Sequence, residues 1–108
     1  MTVKAVKLIS GEELVGEVVH EEKIGSSQGD IVTEITLKNV LMIMIQRDKE
    51  GNLNIGFVPF APYLGKEVAF DFQMEKIIFA KEVDTQMANM YNSVFSGIVT
   101  PPKNLILG

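Results

Sequence analysis

No cysteine and no tryptophan occur in the 108 residues. The first absence excludes disulfides, thiolate nucleophiles, iron–sulfur clusters and cysteine-based zinc sites. His20 is the only histidine, so a His-rich metal site and a histidine dyad are excluded as well. Long hydrophobic runs are missing: the longest, Val40-Leu41-Met42-Ile43-Met44-Ile45, is far below the ~20 residues that span a bilayer. The start, Met1-Thr2-Val3-Lys4-Ala5-Val6-Lys7, interleaves lysine with apolar residues and has no signal-peptide core. No membrane partner is expected, and the expected location is cytoplasmic. A basic excess is lacking too. Ten basic against fourteen acidic residues give −4, which argues against a chain that wraps nucleic acid as a monomer and leaves only a local patch.

What is present is an ordinary globular composition, 46% apolar and 22% charged. At this length the chain buries roughly 60–70% of its unfolded surface, enough for one small core. The first three-quarters read as strands. Val3–Ile9 stops at the turn pair Ser10-Gly11, and Leu14–Glu21 alternates with Gly16 inside it, where glycine marks a bulge, a bend or close backbone approach. Gly25–Asp30 is loop-like. Ile31–Gln46 follows, and its run at 40–45 is apolar on both faces, which predicts burial from both sides. Asp48–Asn52 closes a hairpin with Gly51 at positive φ, and Leu53–Phe60 returns until Pro59 and Pro62 break it. Strands at Glu67–Phe72 and Ile77–Val83 come next.

From Asp84 or Thr85, a capping residue, the period changes. Met87, Met90, Tyr91, Val94 and Phe95 recur at helical spacing, and Gly97 suits the C′ position. This stripe reads as a packing face. Pro101-Pro102 ends regular structure before an apolar tip, Leu105-Ile106-Leu107. The expected fold is mainly β, a small, strongly bent open barrel with a C-terminal helix. Its parts are a barrel over 1–83, an amphipathic helix over 84–97 and a tail over 98–108.

Chemistry-bearing groups do not converge. Glu12-Glu13 and Glu21-Glu22 are sequence neighbours that project to opposite strand faces, a poor arrangement for a carboxylate pair. Ser10, Ser26, Ser27, Ser93 and Ser96 share one histidine and have no nucleophile-elbow context. Gly65-Lys66 lacks the glycine spacing and the following Ser/Thr of a phosphate loop. No catalytic residue, metal site or cofactor is expected, and an enzyme is not.

Leu8-Ile9-Ser10-Gly11-Glu12-Glu13-Leu14-Val15-Gly16-Glu17-Val18 resembles the first motif of the Sm-like (LSm) family, with Gly11 for the turn and Gly16 for the bent second strand. Lys38-Asn39-Val40-Leu41 resembles that family's asparagine followed by apolar residues, and Val68–Phe79 its strand–short loop–strand motif. The likeness covers most of residues 3–83 and is greatest to Sm-like proteins of marine phages. It implies a five-stranded SH3-type open barrel and a cyclic homo-oligomer. It also implies single-stranded RNA binding, or an RNA-chaperone type of role, around a pore through Lys38, Asn39, Gln73 and Lys76. A phage-encoded chain would work in the host cytoplasm. Val68, Phe70, Phe72, Ile77 and Phe79, on strands with few guards against edge pairing, are the expected subunit interface. Ile35 stands where the family has aspartate, and Gln73-Met74 where it has arginine-glycine. With the acidic balance, these departures motivate an alternative: a phage assembly ring acting through protein–protein contacts, with phage or host proteins as partners.

Overall fold

The computed structural model describes residues 2–65 and 68–96. Among the described residues six strands form one antiparallel sheet: β1 (Val3–Leu8), β2 (Glu13–Ile24), β3 (Ile31–Arg47), β4 (Leu53–Pro59), β5 (Ala69–Gln73) and β6 (Ile77–Glu82). Helix α1 (Thr85–Ser96) follows. The lateral order is β4-β3-β2-β1-β6, with β5 also paired to β3. The six strands correspond to the six segments read from the sequence pattern and exceed the five that the resemblance implies. The long β3 carries β5 against Glu34–Lys38 and β4 against Leu41–Arg47, so β4 and β5 succeed each other along one edge. Pro59 ends β4, as expected of a residue with no N–H to donate.

Turn chemistry sets the hairpins. Gly11 at φ +112° lets its N–H reach the Leu8 carbonyl at 2.9 Å, and Gly51 at φ +89° does the same for Asp48 at 3.0 Å. Three register shifts between β2 and β3 bend the pair. One of them lies opposite Gly16. Val15 faces Leu41 and Glu17 faces Lys38, so β3 holds one residue more than β2 across this step. Asn39, at φ +52°, lies in that bulge. A Cβ on Gly16 would stand 3.1 Å from both the Lys38 carbonyl oxygen and the Leu37 Cβ, and 3.3 Å from Val40 Cγ2. Glycine at 16 makes room for this close backbone approach, since a Cβ would push its neighbours back by a few tenths of an ångström.

Two apolar clusters lie on opposite faces of the bent sheet, because neighbouring residues of one strand divide between them. Val6, Leu14, Ile35, Leu37 and Val40 form the first, with Phe60, Phe70, Phe72 and Ile77 packed against it. Val3, Val15, Leu41 and Tyr91 form the second, joined by Ile43, Phe57, Val83 and Val94. Helix α1 covers this second face, so it is part of the sheet's packing. Asp84 caps it, its carboxylate accepting the Met87 N–H at 2.8 Å. Gly97 and the apolar tip at 105–107 lie outside the described residues.

Burial of the 40–45 run from both sides is overturned for its second half. Val40 and Leu41 are buried, but Met44 and Ile45 are exposed. The β3–β4 hairpin runs on past the body that covers its base, so its outer half has apolar residues on bare faces.

Candidate functional site

The four residues expected to bind RNA occupy two separate places. Lys38 and Asn39 lie at the β3 bulge. Glu17, across the ladder from Lys38, engages both: its Oε1 is 4.0 Å from Lys38 Nζ and accepts from Asn39 Nδ2 at 3.3 Å. The Asn39 carbonyl accepts the Tyr91 hydroxyl at 2.6 Å. Gln73 ends β5 and Lys76 ends the 3-10 turn Met74–Lys76, both exposed. Lys38 pairs with Ala69 and Glu34 with Gln73, so four strand residues, about 13 Å, separate the two places. Within one chain they do not converge.

Each place has its own electrostatics. At the bulge, Glu17 sits beside the lysine and spends one amide donor of the asparagine. It also adds to burial in raising the Tyr91 pKa well above the ordinary tyrosine range, with burial the larger cause. Tyr91 is thus a neutral donor. At the 3-10 turn, Lys76 and Gln73 rim a groove of about 460 Å³ shared with Leu8, Ile9 and Asp71. The Ile9 N–H bonds to the Lys76 carbonyl at 2.9 Å, which fixes this rim to the β1 end. Among the described residues Lys76 forms no ion pair, and Asp71 bonds to Thr36 at 2.7 Å.

The residues expected at the subunit interface also divide. Phe70, Phe72 and Ile77 turn inward onto the first cluster, and Phe70 meets Phe60 edge-on at 5.1 Å between ring centres. Val68 precedes β5, half-buried, and lines a groove beside Val94 and Phe95. Phe79 remains 38% exposed and Ile78 58%. A register shift explains the last pair. Leu8 faces Ile77 while Lys7 faces Phe79, so Ile78 is an extra residue that resets the alternation. Ile77 and Ala80 then both face the core, leaving Ile78 and Phe79 outside.

Nothing at these places assembles an acid, a base and a nucleophile. His20 pairs with Glu22 at 3.2 Å on an exposed strand, and the Ser10 hydroxyl bonds to Glu12, lowering that carboxyl's pKa. Among the described residues no three His, Asp or Glu side chains could hold a metal, and no helix is long and apolar enough to cross a membrane. No protein-family model matches the chain, and no curated protein does.

Two features escaped the reading of the sequence. The Tyr91 link to the β3 bulge was signalled only by a phenol on an apolar helix face, where a buried hydroxyl needs an acceptor. The bare hairpin was hidden because periodicity records apolar residues and not what covers them. Ile45, Leu53 and Ile55 are 52, 60 and 42% exposed there.

Proposed function

We propose that this chain is a non-enzymatic, Sm-like subunit that assembles with copies of itself through sheet-edge pairing, closes into a ring and works by protein–protein contact. The observation that carries the reading is the balance of apolar residues. Among the described residues nine hydrophobic side chains are buried, against fifteen large ones that are exposed. A second copy would cover part of this exposed apolar surface.

Five of the fifteen lie on the two strands where a further strand would dock. Among the described residues β6 pairs only with β1, and β4 and β5 pair only with β3. These are the two ends of one open sheet, with Ile78 and Phe79 at one and Leu53, Ile55 and Val58 at the other. Joining one end to the opposite end of the next copy is a heterologous contact, which closes a ring when the rotation fits.

RNA binding is the second reading, and one observation favours it: the exposed Gln73 and Lys76 on the rim of a groove. A ring would repeat this lysine as a circle of charge. The acidic balance and the Glu17 contacts of Lys38 and Asn39 weigh towards protein contact. Titrating labelled oligo-U and oligo-A into the assembled protein across a salt series separates the two. Affinity that falls with salt and is lost in Lys76→Glu supports RNA, whereas indifference at low salt with the assembly intact supports protein contact.

A further inference from the structure

Between the C-terminal half of α1 and the junction of β3 with β4 runs a groove of about 450 Å³. Val40, Leu41, Phe60, Val68, Val94 and Phe95 line it, with prolines 59 and 62 along one wall. Among the described residues that line it, Asn39 is the sole polar side chain and none is charged. Phe95 lies with its ring centre 5.0 Å from that of Tyr91, yet 44% of the residue is exposed. A phenylalanine packed on one side and bare on the other is half of an apolar contact. The apolar side chains of Val40, Leu41, Phe60, Val68, Val94 and Phe95 favour an apolar occupant, whose burial against them removes apolar surface from water.

An apolar occupant is available in the same chain. Residue 95 lines the groove, and the twelve residues from Gly97 to Gly108 follow the helix directly. Lys103 is their one charged side chain, and they include the apolar run Leu105-Ile106-Leu107. Nine residues connect Phe95 to Leu105, enough to reach out and return over as much as about 30 Å. A tether this short holds its end at an effective concentration on the order of millimolar, which favours a chain's own tail over a partner in solution.

We propose that Leu105-Ile106-Leu107 seats in this groove of its own chain and covers the bare side of Phe95. The absence of native cysteine allows a clean test. In full-length chain, Pro62→Cys is combined with Ile106→Cys, placing one thiol on the groove wall and one on the tip. Asn92→Cys with Ile106→Cys is the reference, since Asn92 is exposed on α1 and equally within reach of the tail. Under mild oxidation the groove pair is expected to form an intramolecular disulfide at least tenfold faster than the reference, independent of protein concentration. Equal rates would overturn the proposal. So would a groove pair that links only between chains, an outcome assigning the tail to a second copy. If Pro62→Cys lowers the melting temperature, Val94→Cys with Ile106→Cys replaces it on the opposite wall.

Discussion

The Tyr91 hydroxyl donates to the main-chain oxygen of Asn39 at 2.6 Å, fifty-two residues away in sequence. This single bond ties the helix to the point where β3 bulges, opposite the glycine that lets β2 pass. Asn39 at φ +52° turns the bulge, Gly16 leaves room for it, and Tyr91 satisfies the carbonyl it exposes. The family resemblance implies a base contact for Asn39; its place in the fold gives it conformational work.

Asn39→Gly is expected to retain stability, because glycine adopts the left-handed region freely, whereas Asn39→Ala should lose about 1–2 kcal/mol. Thermal unfolding followed by circular dichroism checks the order of the pair. Alanine as stable as glycine would contradict the conformational role.

Gly16→Ala forces a Cβ to 3.1 Å from a carbonyl oxygen and from Leu37 Cβ, and should cost about 1–3 kcal/mol, with Gly16→Val worse. His20→Ala, on an exposed strand, should change stability by no more than about 0.5 kcal/mol. Chemical denaturation of the three variants measures both limits.

Tyr91→Phe keeps the ring and removes the bond to Asn39, at an expected cost of about 0.5–1.5 kcal/mol. A pH signature accompanies it. Burial and the Glu17 charge raise the folded-state pKa of Tyr91, so the fold favours the neutral phenol. Its contribution is complete below the unfolded value of about 10 and is lost as pH rises above it. Melting temperatures between pH 8 and 11 should fall less steeply in Tyr91→Phe than in the parent, and parallel curves would refute the assignment.

Local chemistry in the sequence foretold much of this architecture. Gly11 and Gly51 mark turns at positive φ, Asp84 caps the helix, and the i, i+3, i+4 stripe brings Tyr91 and Val94 onto the sheet. What the sequence hid depends on long-range register. Phe70, Phe72 and Ile77 look like members of a subunit interface, but β5 pairing and the Ile78 bulge turn them inward. Lys38 and Gln73 look like members of one site, yet β3 and β5 run antiparallel and carry them to opposite ends of β5. Spacing along the chain holds no record of either arrangement.

Placing a charge on the free edge should weaken assembly without harming the fold, since Phe79 packs no buried cluster. Phe79→Lys is expected to shift the population towards single chains with an unchanged circular dichroism spectrum. Sedimentation velocity across a concentration series measures the shift. An unaltered assembly would move the interface away from β6.

Native mass spectrometry of the full chain tests the central claim most directly. Edge pairing that closes predicts one dominant species at an integer multiple of 11.9 kDa, unchanged as concentration rises. A single chain of 11.9 kDa at tens of micromolar, or a ladder of masses that lengthens with concentration, would contradict the closed assembly.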